Sequence, residues 1–274
     1  VRVVLDLAHP TADYTTLVLE NPFRIVVDVA RAASKELEAE PKYKPKLHKT
    51  LVVIDPGHGG KDAGAIGANG VKEKDVALKI SLAAKKVLEG AGFAVRLTRD
   101  KDVYIPLEER TAFANRYNAD VFLSIHANAH DDEDVHGVES YYLDTTSDRY
   151  ALRLAAVENK VREERVSEIQ LALAQASSRL HTKASKNIAG KVTDSMAKVA
   201  RQQTGRVRNL GVKPSLFYVL LGARMPAVLI EASFISNPKD AQLLSSKKGS
   251  RALGKAIGEA VVDYVKQSKK LGRR

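Results

Sequence analysis

Four side chains in this sequence are of the types that bind metals and move protons, and each falls where a chain delivers side chains to a common edge. His58 follows the apolar run LVVID and sits among Gly57, Gly59 and Gly60, His126 follows VFLSI, and Glu231 closes AVLIE. Glu73 stands at the start of a helical pattern that crosses back from the same edge. Apolar runs of this length that stop at turn residues predict buried strands. In an open α/β sheet, chemistry gathers beyond the carboxyl ends of the strands. Two imidazoles and a carboxylate make the ligand set of a catalytic zinc hydrolase whose open position takes water. The glycines allow a sharp turn and a close approach of backbone to a ligand.

Composition limits the alternatives. The chain has no cysteine, so disulfides, thiolate zinc sites and cysteine nucleophiles are excluded, and any metal must be held by His, Asp and Glu. The net charge of +11 favours an anionic partner, with nucleic acid, acidic lipid and anionic cell-wall polymer all eligible. An aromatic content of 5%, the absence of Trp and the lack of a recognised motif argue against nucleic acid. No apolar stretch approaches the roughly 20 residues that span a bilayer. Val1 opens directly into a strand-like pattern, so no signal peptide is expected in the sequence given, which does not argue for the cytosol.

The elements that must position these residues alternate as strand and helix. After two strand-like runs, VRVVLDL and FRIVVDVA, a charged, proline-containing stretch over 33–49 reads as a linker. Strand 51–55 then leads into a helix from Glu73 to Glu89 with Val76, Ile80, Ala84 and Leu88 on one face. A strand follows over 93–98, and a helix opens at Pro106 and ends near Asn118. Strands are expected at VFLSI, GVESYYL, FYVLL and AVLIE, and helices over 237–244 and 252–265. Residues 145–204 interrupt the rhythm with more helix than a crossover needs, one piece over 148–164 and another over 166–203, which predicts an insertion. The fold class expected is α/β: a mainly parallel sheet flanked by helices on both faces, with a helical insertion and a small β-rich N-terminal segment.

Several words occur in order: VVIDPGHGGKDAGAIG, NGVKEKDVAL, LTRDKDVYIPLEERTAFAN, ADVFLSIHAN, GVESYYL and FYVLLGARMPAVLIEASFISNPKDAQLL. Together they resemble the zinc-dependent N-acetylmuramoyl-L-alanine amidases of bacterial cell walls, over Leu51 to about Val265. The resemblance implies that His58, Glu73 and His126 bind Zn2+ and that Glu231 is the catalytic carboxylate. Arg110 and Asn128 lie in matching words, with helix packing or loop anchoring the expectation for Arg110. The implied reaction cleaves the amide joining N-acetylmuramic acid to L-alanine of the stem peptide, on peptidoglycan outside the cytoplasm, in the periplasm or cell wall. A zinc peptidase or deacetylase of other specificity, and a catalytically idle wall-binding protein, are the alternatives. The words RVVLDL and LENPFRIVVDV resemble part of an AMIN module, so the expected organisation is an AMIN-like segment over 1–32, a linker over 33–49, a catalytic domain over 50–267 and a basic tail over 268–274.

Two further readings concern the remaining charges. His130 and His136 bracket Asp131, Asp132, Glu133 and Asp134, which is expected to be a solvated acidic loop. Amidases of the cell-separation type carry a helical insertion that in some members covers the active site until a LytM-like activator removes it. Here YALRLAAVENKV and EIQLALAQASSRL form two amphipathic pieces whose apolar faces need a surface. The second piece is expected either over the zinc cleft, with Glu163, Glu164 or Glu168 near the metal, or on the domain flank with no regulatory role.

Overall fold

The computed structural model describes residues 11–19, 24–31, 49–67, 70–164, 166 and 181–271. The chain divides into two compact units, Val1–His48 and Lys49–Arg274. In the first, β1 (Thr11–Leu19) pairs antiparallel with β2 (Arg24–Arg31). β1 occupies a stretch that reads as a polar connection between strands; its threonines and tyrosine are strand formers on a pleated surface. The strand expected at VRVVLDL and the linker over 33–48 lie outside the described residues.

The second unit is built on a sheet of six strands in the order β4-β3-β5-β8-β6-β7. These are β3 (Leu51–Pro56), β4 (Ala94–Leu97), β5 (Val121–Asn128), β6 (Val138–Leu143), β7 (Asn209–Ser215) and β8 (Ala227–Phe234). Pairing is parallel from β4 through β8, antiparallel between β8 and β6, and parallel again between β6 and β7. β5 and β8 are the two central strands and every residue of each is buried, which is why both read as continuous apolar runs. The expected strand at FYVLL is instead a turn of 3-10 helix, Tyr218–Leu220, and the strand is the more polar NLGVKPS just before it. Pro214 is tolerated there because β7 is an edge strand.

Helices cover both faces. α1 (Glu73–Gly90), α4 (Thr182–Thr204), α5 (Pro238–Ser245) and α6 (Lys247–Leu271) lie on one face, where Ile80, Leu88, Ile188, Val192, Leu244 and Ile257 join Val52, Ile54, Leu123 and Ile230 in the core. α2 (Leu107–Arg116) and α3 (Arg149–Asn159) lie on the other, beside the 3-10 turn. α5 is capped by Asn237, whose side chain accepts from Lys239 N and Asp240 N, with Pro238 opening the helix. α6 runs on to Leu271, into the stretch expected to be a solvated tail.

The long helical region is not one insertion. Ile188, Val192 and Met196 of α4 are wholly buried. At about 1.5–3 kcal/mol for each such side chain, α4 is scaffold and cannot detach as a regulatory segment. The first piece ends early, at Asn159, where Lys160 takes a left-handed conformation (φ 56°). Residues 165 and 167–180, which contain all of EIQLALAQASSRL, lie outside the described residues.

Candidate active site

The site forms at the carboxyl ends of β3, β5 and β8. In register, His126 of β5 pairs with Glu231 of β8, and Glu231 pairs on its other side with Glu139 of β6, so a row of three ionisable side chains crosses three adjacent strands. His58 follows β3 in a left-handed conformation (φ 57°), a strained backbone for a residue with a Cβ. Two buried arginines hold that turn. Arg110 of α2 donates to the carbonyls of Pro56 and His58, at 2.9 Å each, and pairs with the buried Asp55 at 2.9 Å. Arg99 donates to the same Pro56 carbonyl and to that of Gly57, at 2.9 and 2.6 Å. Arg110 is therefore a loop anchor, while Arg99 escapes sequence reading although it lies in the same matching word.

Glu73 is the first residue of α1, where the helix dipole favours a carboxylate. Its Oε2 accepts from Ala65 N at 2.9 Å and its Oε1 from Ala127 N at 3.1 Å, so the backbone on two sides fixes it. Oε1 also lies 3.0 Å from His126 Nδ1 and 3.0 Å from His58 Nε2. Two glycines make the room. A Cβ on Gly57 would come within 2.5–2.8 Å of three atoms of the His126 ring, and one on Gly64 (φ 66°) would meet Glu73 Oε2 at 2.5 Å. Gly64 is a requirement of the site that its position in the sequence does not announce.

The fourth group of the cluster is Glu158, from the last turn of α3. Its Oε2 lies 3.4 Å from His58 Nε2 and 3.2 Å from His126 Nδ1. The first amphipathic piece thus reaches the site; the second, expected there or on the domain flank, lies outside the described residues. Glu163 and Glu164 are exposed, and Glu168 lies outside the described residues. Nothing in the spacing of YALRLAAVENKV singles out Glu158; only the seating of the helix does. That seating is tied along its length. Asp148 caps the helix through Tyr150 N and Ala151 N, Ser215 donates to Ala151 O, and Asn159 bonds Leu216 O and Tyr218 N. Just beyond, Lys160 reaches Asp62 at 2.7 Å, and Asp62 lies 3.2 Å from His58 Nδ1.

Charge is concentrated here. Burial works to lower the His58 pKa, but the Glu73 carboxylate, together with Asp62 as acceptor at Nδ1, pushes it up to about 11. Burial works to raise Glu73, yet His58 and His126 hold it well below the usual carboxylate range. Burial, followed by the fields of Glu73, Glu158 and Glu139, pushes Glu231 well up.

The donors fit a metal ion. One ligand atom from each of His58, Glu73, His126 and Glu158 can be chosen so that all lie within 4.8 Å of one another, and among the described residues this is the only such group. His58 Nε2 is buried without a directed hydrogen-bond partner, the condition of a ligand atom facing a cation's position. The acidic loop does not contribute: His130 and His136 bond neighbouring backbone, and the acids between them are exposed.

Residues 52–263 match the family described as N-acetylmuramoyl-L-alanine amidase, Amidase_3. The chain belongs to this amidase family. It is 34% identical over 235 residues to N-acetylmuramoyl-L-alanine amidase AmiA of Escherichia coli K12, covering 82% of this chain and 80% of that protein. Among solved structures it is similar to the amidase AmiC2 of Nostoc punctiforme, with TM-score 0.58 and 31% identity over 79% of this chain and 97% of that one. An N-acetylmuramoyl-L-alanine amidase from Clostridium difficile 630 has TM-score 0.62 and 27% identity, over 80% and 98% of the two chains. The amidase fold is thus the six-stranded sheet described above.

Proposed function

We propose that His58, Glu73 and His126 hold a zinc ion and that Glu231 moves the proton in hydrolysis of the peptidoglycan amide. The family reaction is cleavage between N-acetylmuramic acid and L-alanine of the stem peptide, in remodelling of the cell wall. The observation that carries the residue assignment is the convergence of the ligand atoms within 4.8 Å beside a buried Glu231 whose Oε2 has no hydrogen-bond partner.

Bound at this cluster, zinc would supply a Lewis acid for the amide carbonyl and for the attacking water. Glu231, next to His126 in register, takes a proton from that water as its oxygen attacks the carbonyl carbon. It then passes the proton to the nitrogen as the C–N bond breaks, leaving a carboxylic acid on the lactyl group and a free amine on L-alanine. Arg99 and Arg110 keep the His58 turn in place while this happens. The neighbouring carboxylates that raise Glu231 would be offset by the cation's charge, which suits a group that must first accept a proton.

In this reading α3 is a plug. Glu158 occupies the face of the imidazoles that substrate needs, and an activator that draws α3 away opens the site; a LytM-like wall protein is the activator class that the sequence resemblance implies. The place of action is outside the cytoplasm, where the wall is; among the described residues no helix is long and apolar enough to cross a membrane. Digestion of purified sacculi followed by mass analysis tests the reaction. Free stem peptides beginning with L-alanine are expected; cleavage within the peptide, or loss of acetate alone, would contradict it.

A further inference from the structure

Beside Glu231 lies a polar group that the hydrolysis itself does not use. Asn128, the last residue of β5, and Glu139, near the start of β6, are 3% and 0% exposed. Asn128 Nδ2 donates to Glu139 Oε1 at 2.7 Å, and Asn128 Oδ1 accepts from Ala129 N. Glu139 Oε2 is paired with Lys213 Nζ at 2.7 Å, which gives this buried carboxylate a partner of opposite charge. One Nδ2 hydrogen of Asn128 and one lone pair of Glu139 Oε1 remain, and both are met by a single atom. The Tyr150 hydroxyl accepts from Asn128 at 2.8 Å and donates to Glu139 at 3.2 Å.

Tyr150 belongs to α3, the helix that also brings Glu158 to the imidazoles. If α3 leaves, the hydroxyl leaves with it, and a donor and an acceptor are exposed side by side, next to the strand that carries Glu231. Unmet polar atoms at so buried a place are costly, so the seat selects a ligand that both accepts and donates. A secondary amide does so with its C=O and N–H. The substrate of the proposed reaction carries such amides on either side of the scissile one: the 2-acetamido group of the sugar and the first peptide bond of the stem after L-alanine.

We propose that Asn128 and Glu139 are a substrate-binding pair for a secondary amide flanking the scissile bond, and that the Tyr150 hydroxyl fills their seat while α3 lies across the site. The inference rests on the amide-hydrolysis reading and on α3 being movable. Asn128 donates to the amide carbonyl, Glu139 accepts from its N–H, and Lys213 fixes the other Glu139 oxygen.

The test uses the full chain and three soluble muramyl-tetrapeptides: the parent, one with the 2-acetamido group replaced by an acetate ester, and one with the peptide bond after L-alanine replaced by an ester. Each ester removes one N–H and keeps the shape. The ratio of kcat/KM between two substrates on the same enzyme is independent of how often α3 is open. Wild-type protein is expected to prefer the parent over one of the esters by about tenfold or more, the size of a hydrogen bond to a charged group, and the ester that suffers identifies which amide is read. In Glu139→Ala that preference falls to within about twofold, whereas Asn128→Ala, which loses only the bond to the carbonyl, lowers kcat/KM on all three substrates. Equal rates on all three substrates in the wild type, or a preference that survives in the Glu139 variant, overturns the proposal. If Glu139→Ala does not fold, Glu139→Met gives the same reading. Failure of the wild type to release L-alanine-terminated peptide from the parent would instead overturn the hydrolysis reading, and so is told apart.

Discussion

Glu158 Oε2 lies 3.2 Å from His126 Nδ1, so a helix of the insertion places its own carboxylate within the candidate metal cluster. Replacing Glu158 by alanine is expected to raise hydrolysis of sacculi roughly tenfold, the change that corresponds to about 1.4 kcal/mol of lost plug stability. Unchanged or lower activity, with the fold intact by circular dichroism, would mean that α3 does not gate the site.

The anchoring of the His58 turn gives a second prediction. Arg110→Met removes the bonds to the Pro56 and His58 carbonyls and strands Asp55. Zinc affinity measured by chelator competition should fall about 10–100-fold, as for other supports of metal ligands. Lysine at this position cannot span the same acceptors and should recover little. Wild-type affinity in both variants would show that the turn holds itself.

Asp55 itself sets a pH dependence. Burial works to raise its pKa, but Arg110, Thr98 and Ser124 hold it below the usual carboxylate value. A folded pKa lowered in this way contributes stability that is present above the unfolded value of 3.8 and is lost as pH falls through the folded value. Asp55→Asn should therefore cost about 3 kcal/mol at pH 7, the scale for breaking a buried pair, with the gap narrowing below about pH 4. Urea unfolding across pH 3–7 reads this; a gap that stays constant with pH would assign the loss to packing alone.

Gly57→Ala tests the close approach at His126. The added Cβ would meet the ring at 2.5–2.8 Å, and the ring must move. Turnover should fall by about 10²-fold, the effect of a misplacement near 1 Å, while the melting temperature changes little because a side chain yields here and not backbone. Full activity would mean that His126 has freedom that the packed edge does not suggest.

Much of this site was legible in the sequence because strand ends are. His58 and His126 follow, and Glu231 closes, apolar runs that form buried strands, and Glu73 opens a helix whose apolar face is explicit. What was not legible depends on tertiary path. FYVLL is as apolar as a strand but turns as 3-10 helix, while NLGVKPS forms the edge strand despite its glycine and proline, because an edge needs fewer backbone donors. Glu158 has the same local setting as other glutamates on an amphipathic helix, and only the docking of α3 on β7 and the 3-10 turn selects it. Gly64 and Arg99 gain meaning from atoms distant in sequence, which no local pattern encodes.

In the proposed mechanism this amidase works through a metal held by His58, Glu73 and His126, with Glu231 moving the proton. The direct measurement is release of L-alanine-terminated stem peptides from sacculi by protein stripped of metal with a chelator, before and after restoring one equivalent of zinc, for the wild type and for Glu231→Gln. No release is expected from stripped protein, with recovery on adding zinc in the wild type. Glu231→Gln should bind zinc with a similar affinity but release peptides about 10²–10⁴-fold more slowly. Undiminished release by metal-free protein, or wild-type turnover by Glu231→Gln, would contradict it.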